Sequence, residues 1–235
     1  AKRIAWGKYM NAGQTCVAPD YLYVHEDVVE ELVRELTAVV KEFYGEDPKS
    51  APDYARIINE SQFDRLTSML EASLSHPGSE ILFGGEYLRE ERYIAPTAVR
   101  LPGWRTALMD EEIFGPLLPV LTYNSLPAAI SELQNRPNPL ALYLFTSSRD
   151  VRERVIEAIP FGGGSINETV LHLVNPNLPF GGVGSSGTGS YHGKRSFDAF
   201  THEKSILSHA PWLDIPLKYP PYSGKALGVI KRLMG

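Results

Sequence analysis

The chain has 235 residues, 43% hydrophobic and 22% charged, enough to bury a sizeable core in one large domain or two small ones. With 23 Lys+Arg against 28 Asp+Glu the formal net charge is -5, which argues against a nucleic-acid binder, whose affinity rests on clustered positive charge. A single Cys excludes an internal disulfide and suits a reducing compartment, the cytoplasm, and no apolar run approaches the ~20 residues that span a bilayer.

In chain order, AKRIAWGKYM (1–10) places Ile4, Ala5, Lys8 and Tyr9 at helical spacing, with neither an initiator Met nor an N-cap. It reads as a helix already in progress, within a longer chain cut upstream. YLYVHE (21–26) is β-branched and aromatic, a strand. Residues 27–45 follow as an amphipathic helix, apolar at 28, 29, 32, 33, 36, 39, 40 and 43, with Gly45 as its stop. A second amphipathic helix covers 61–74, with Ser61 and Asp64 as candidate caps. Strands are expected at 80–85, 93–100 and 117–123, a helix at 126–135, and a buried strand at 140–148. A helix over 150–159 capped by Asp150 and a last strand-like segment at 163–173 complete the pattern. Alternating strands and helices predict an α/β layer fold with a largely parallel sheet. After residue 174 the texture becomes loop-like, and Pro216, Pro220 and Pro221 prevent one continuous helix in the tail.

Several motifs invite chemistry. GVGSSG (182–187) matches G-x-G-x-x-G, but loop sequence flanks it on both sides. A dinucleotide fingerprint leaves a strand and opens a helix, so a tight close-packed loop is the better reading. The six His residues have no metal-ligand spacing and no second Cys helps them, so no metal is expected. No G-x-S-x-G supports a serine hydrolase. Cys16 closes NAGQTC (11–16), between a Gly-containing turn and the Pro-containing VAPDY. A lone Cys is commonly an inert packing residue. At a chain reversal it can instead be lifted from the core beside free backbone N–H groups, which suits a nucleophile. DEEIFGP (110–116) is either a solvated acidic turn or a carboxylate facing a polyhydroxyl ligand with Phe114 beside it. The residues alone leave both choices open.

WGKYMNAGQTC, EEIFGP and LPFGG, in this order, resemble the aldehyde dehydrogenase superfamily over essentially the whole chain. NPNLPFGGVGSSGTGSYHGKRSFDAFTHEKSIL is similar to its class 3 branch, which includes fatty-aldehyde dehydrogenases. The resemblance implies the catalytic-domain type of that α/β fold over 1–195. It also implies a tail over 196–235 that in part forms an oligomerisation strand, giving a homodimer. It makes Cys16 the nucleophile, its own N–H part of the oxyanion hole, Glu112 the acceptor for the nicotinamide-ribose hydroxyls, and Phe114 a neighbour of the nicotinamide. Tyr9, Met10, Phe180, Tyr191 and His192 become candidates for the substrate pocket, and Asn167 a stabilising residue. The implied cofactor is NAD or NADP and the implied substrate a small-molecule aldehyde, of medium or long chain if the class 3 likeness holds. In the family the general-base Glu, the oxyanion Asn and most of the dinucleotide domain lie upstream of the cysteine, and none of these occurs in 1–235. An acylating, coenzyme A-dependent variant and a non-catalytic relative remain as alternatives. Last, GKALGVIKRLMG (224–235) sets Leu227, Ile230, Leu233 and Met234 against Lys225, Lys231 and Arg232. Such a segment either packs on protein or makes a weak peripheral contact with an anionic membrane.

Overall fold

In the computed structural model, which describes residues 1–221 and 224–234, the chain opens with helix α1 (Lys2–Tyr9), whose spacing buries Ile4, Ala5, Lys8 and Tyr9 as expected. Strand β1 (Leu22–His25) leads into helix α2 (Glu26–Tyr44), which buries Val29, Leu36 and Val40 and ends before Gly45. Helix α3 (Glu60–Leu74) buries Phe63, Leu66, Met69 and Leu70. Its cap is neither Ser61 nor Asp64. Asn59 Oδ1 accepts the Gln62 N–H at 2.9 Å, while Asp64 lies inside the helix and accepts from Arg89 at 2.8 and 2.9 Å. An Asn one residue before the helix can reach the orphan N–H groups of the first turn; a residue already in the helix cannot.

Strands β2 (Glu80–Phe83), β3 (Tyr87–Leu88), β4 (Tyr93–Ile94) and β5 (Thr97–Arg100) come next. The run 93–100 is thus two strands, separated by Ala95 and Pro96. β4 pairs with β3 in a small hairpin, whereas β5 joins the main sheet. Strand β6 (Leu117–Tyr123) has the bounds its apolar run predicts. Helix α4 (Leu126–Gln134), strand β7 (Ala141–Leu144), helix α5 (Arg149–Ala158) and strand β8 (Gly163–Ile166) follow. Ser148 caps α5, its Oγ accepting the Val151 N–H at 3.3 Å; Asp150 sits in the first turn and pairs with Arg154. The segment 163–173 is strand only to Ile166, because Asn167 (φ 54°) and Val170 (φ 60°) adopt left-handed backbone and turn the chain away. A short helix, α6 (Lys194–Ala199), forms where the sequence read as tail.

The main sheet has the order β1-β6-β5-β2, with β1, β6 and β5 parallel and β2 an antiparallel edge. β7 and β8 form a separate parallel pair around α5. The expected α/β fold with a largely parallel sheet is what forms. A large apolar cluster joins the main sheet to α1, α2 and α3. A smaller one holds Val17, Val170 and Phe180, with Met10, Leu140, Ala141 and Leu173 packed against it. β1 and β6 run in the same direction, so the segments that feed them, 16–21 and 110–116, arrive at the same end of the sheet.

The chain divides into two units, Ala1–Phe200 and Thr201–Gly235. In the second, residues 201–210 have no regular structure, Pro216–Lys218 form a 3-10 turn, and helix α7 covers Gly224–Met234. Among the described residues no helix is long and apolar enough to cross a membrane.

Candidate active site

The turn that carries the cysteine is unusual backbone. Asn11 (φ 54°), Ala12 (φ 50°) and Gly13 (φ 73°) are all left-handed in succession, a costly arrangement for the two non-glycine residues. Side chains brace it. Asn11 Nδ2 donates to Gln14 O and Gln14 Nε2 to Asn11 O, each at 3.0 Å. Gln14 also donates to Arg56 O at 3.0 Å and accepts the Ile58 N–H at 2.9 Å, tying the turn to the loop before α3. The turn's own backbone bonds run from Gln14 N–H to Asn11 O and from Ala18 N–H to Thr15 O. This leaves the Cys16 N–H without an acceptor among the described residues, and Cys16 itself is exposed. An exposed thiol beside a free amide is the arrangement a nucleophile with an oxyanion hole requires.

The 110–116 loop lies directly against this turn. A Cβ built on Gly13 would stand 2.2 Å from Gly115 O, so the two backbones touch. Arg65 of α3 fixes the loop, donating to Glu112 O at 3.2 Å and to Ile113 O at 2.5 Å. From the other side Asp20 Oδ1 accepts the Ile113 N–H at 3.1 Å. The Glu112 side chain is exposed, and Phe114, with φ 50°, shows 41% of its surface. Glu112 and Phe114 are thereby presented beside the cysteine turn.

One charge in this junction carries no role in the sequence reading. Lys8, on the core face of α1, is only 1% exposed. Burial lowers its pKa to about 8, while the charges of Asp20 and Glu112 act in the opposite direction. Asp20 is raised by burial, countered by Lys8, the Ile113 N–H and Arg65. Glu112 is raised as well, first by desolvation and then by Asp20, against Arg65 and Lys8. Lys8, Asp20, Arg65 and Glu112 therefore form one electrostatic set that ties α1 and α3 to the loop. A Lys at an inward helical position was the available signal for it.

The expected pocket residues separate. Phe180, 7% exposed, pairs with Tyr191 as an isolated antiparallel bridge, their N–H···O distances 2.9 and 2.8 Å. The His192 ring stacks on Phe180 with centroids 5.3 Å apart, and the Tyr191 ring meets Phe180 edge-on at 5.6 Å. Met10 packs on the same cluster as Val17 and Phe180. Met10, Phe180, Tyr191 and His192 thus gather on the side of the turn that Val17 faces. Tyr9 does not join them. It is wholly buried in the large cluster, edge-on to Phe83, its hydroxyl donating to Thr97 O at 3.3 Å, which makes it a core residue. Asn167 braces a turn, accepting the Thr146 N–H at 2.8 Å and donating to Thr146 O at 2.9 Å. The 182–187 loop is tight: a Cβ on Gly182 would meet Ser186 O at 2.1 Å. It contains only a 3-10 turn, with no strand before it or helix opening from it.

The pattern of the aldehyde dehydrogenase family matches residues 1–206. The chain belongs to that family. It is 51% identical over 225 residues to a 4,4'-diaponeurosporen-aldehyde dehydrogenase of Staphylococcus aureus (strain NCTC 8325 / PS 47), covering 96% of this chain and 48% of that protein. It is 44% identical over 224 residues to aldehyde dehydrogenase family 3 member A2 of Pongo abelii, covering 94% of this chain and 45% of that protein. Among solved structures, the substrate-bound state of Staphylococcus aureus AldH superposes with a TM-score of 0.91 at 49% identity, covering 100% of this chain and 50% of that one. The chain spans about half the length of the curated relatives it matches. Its α/β fold is that of these dehydrogenases.

Proposed function

We propose that residues 1–235 supply the thiol and the nicotinamide-side loop of an NAD- or NADP-dependent aldehyde dehydrogenase. The observation that carries this reading is the contact of Gly13 with Gly115, which sets an exposed thiol beside an exposed carboxylate and aromatic ring. The residues present fit a nicotinamide dinucleotide: the exposed Glu112 carboxylate could accept from its ribose hydroxyls, and the Phe114 ring would offer a flat face nearby. When bound there, NAD or NADP would supply the hydride acceptor for the carbon that Cys16 attacks.

The chain's own residues carry the covalent part of the reaction. The Cys16 thiolate adds to the aldehyde carbon, and the free Cys16 N–H steadies the resulting oxyanion. After loss of the hydride a thioester remains, and water releases the carboxylic acid and returns the thiol. Sulfur suits both halves, being a strong nucleophile and a good leaving group. The resemblance assigns activation of that water to a Glu upstream of the cysteine, in a segment that 1–235 do not include. Met10, Phe180, Tyr191 and His192 line the approach from the substrate side. Met10 and Phe180 belong to one apolar cluster with Val17 and Val170, which favours a medium- or long-chain fatty aldehyde.

Glu112→Gln tests the cofactor role in the full-length protein. The amide keeps the side chain's shape and loses its charge. Single-turnover hydride transfer should slow by about 10- to 100-fold, while alkylation of Cys16 by iodoacetamide keeps its rate. A normal hydride step would remove Glu112 from the role.

The tail, 196–235, is proposed as the oligomerisation element that follows a catalytic domain at 1–195. Its second-unit residues Ile206, Leu207 and Trp212 are largely exposed, as expected of a segment that awaits a partner. α7 also exposes Leu227, Val229 and Leu233 and carries Lys231 and Arg232 in its last turn, which suits a weak contact with anionic lipid. A version ending at Phe200 should sediment as a monomer. One ending at Pro221 should stay dimeric but lose co-sedimentation with anionic vesicles at low salt. A dimer retained by the shorter version would exclude the tail as the interface.

A further inference from the structure

We propose that Tyr143 is a positioning residue for the nucleophile turn, its hydroxyl holding the Val17 carbonyl, one residue past Cys16, so that the turn carrying the thiol keeps one conformation. This rests on the reading of Cys16 as nucleophile and adds a residue to which the family resemblance gave no role.

Tyr143 is the third residue of β7, held on one side by β8. Its hydroxyl donates to Val17 O at 2.7 Å, across 126 residues of sequence. The Val170 N–H faces the same oxygen, and the Cys16 thiolate lies near enough to act on the phenol electrostatically. The hydroxyl gives its one proton to Val17. That leaves the O–H a single direction. Burial, the largest cause, raises the phenol to about 12, so the proton is present throughout the neutral range.

The surroundings hold the ring as firmly as its hydroxyl. The His172 ring packs edge-on against it, centroids 5.7 Å apart. His172 is 8% exposed, and neither of its nitrogens has a partner among the described residues. Burial lowers its pKa, so it stands as a neutral packing ring behind the phenol. Val17, fully buried, packs with Val170 and Phe180. The Val17 carbonyl therefore faces an apolar surround, where an acceptor without a donor is costly. With its donor in place, the carbonyl fixes the Val17–Ala18 peptide, whose Ala18 N–H bonds Thr15 O and so closes the turn across Cys16. A thiol carried on a turn held in this way is preorganised for attack, and displacements of an ångström at such a site cost about 100-fold in rate.

The test is Tyr143→Phe in the full-length protein, with Cys16→Ser and Tyr123→Phe measured beside it. Tyr123 packs at the far end of β6 against Tyr23 and His25, outside the site. The Phe ring keeps the packing and removes only the hydroxyl. We expect kcat per folded molecule to fall about 10- to 100-fold, with KM for aldehyde and for cofactor within about twofold. Tyr123→Phe should be indistinguishable from the parent. A wild-type kcat for Tyr143→Phe overturns the proposal, and so does a loss of turnover that merely follows the unfolded fraction. If Cys16→Ser keeps its turnover, the nucleophile reading itself fails and the positioning role goes with it. If Cys16→Ser is inactive while Tyr143→Phe is normal, the positioning role alone fails.

Discussion

Cys16→Ser should leave the fold intact and remove essentially all aldehyde oxidation, by 1,000-fold or so, in the full-length protein. The side chain is exposed, so exchanging sulfur for oxygen removes no buried surface, and stability should change by no more than about 0.5 kcal/mol. Chemistry makes the difference. A free thiol is a few per cent thiolate near neutral pH, whereas an alkoxide at the same place is almost absent. The second half reaction suffers too, because an ester is a poorer acyl donor to water than a thioester. Cofactor binding should persist, since Glu112 and Phe114 are held by Arg65 and Asp20 and not by the thiol. Reduced cofactor formed from a saturating aldehyde is the measurement. Retention of more than about a tenth of the parent rate would sink the nucleophile assignment, since no hydroxyl could sustain it.

What the sequence disclosed and what it hid follow from the range of the interactions concerned. β6 was legible to the residue because an apolar run between Gly-Pro and Asn-Ser has only one way to lie. α2 was legible because its apolar face repeats over five turns. The caps were misplaced by two to five residues: Asn59 and Ser148 each lie just outside the helix, where apolar periodicity carries no signal. The strand at 163–173 was overextended because Asn167 and Val170 bend backbone that composition would leave straight. In the site, Cys16 and Glu112 could be named from their neighbours and from the family likeness. The contact of their two loops, Gly13 against Gly115, could not, because it depends on β1 and β6 being parallel neighbours that both begin at one end of the sheet. Tyr143 was hidden for the same reason, as its partner lies 126 residues away. Tyr9 shows the reverse error: it adjoins the motif in sequence, but helical geometry turns it into the core.

Gly13→Ala should be a strongly damaging single-methyl change. Gly13 has φ 73°, and a Cβ there would meet Gly115 O at 2.2 Å, Gly115 C at 2.6 Å and Lys8 O at 3.1 Å. All three are backbone atoms, so no rotamer change relieves the clash. Left-handed backbone costs an Ala about 1 kcal/mol, and forcing a methyl into a packed contact adds roughly 1 to 3 more. At about 2 to 4 °C per kcal/mol for a domain of this size, Tm should fall by roughly 5 to 15 °C. Gly45→Ala supplies the comparison. It shares a positive φ, 77°, with ψ -169°, a conformation essentially confined to Gly, but nothing stands within 4 Å of its Cβ position, so only a conformational cost of about 1 to 3 kcal/mol applies. The two variants should also differ in kind. Gly45 ends α2, away from the cysteine turn, and its variant should turn over normally once folded. The Gly13 methyl pushes the 110–116 loop off the cysteine turn, so KM for cofactor should rise and hydride transfer should slow in the molecules that remain folded. Thermal melts and single-turnover kinetics on both variants decide the matter. If Gly13→Ala matches Gly45→Ala in both measurements, the two backbones do not need to touch, and the contact on which the whole site is built loses its function.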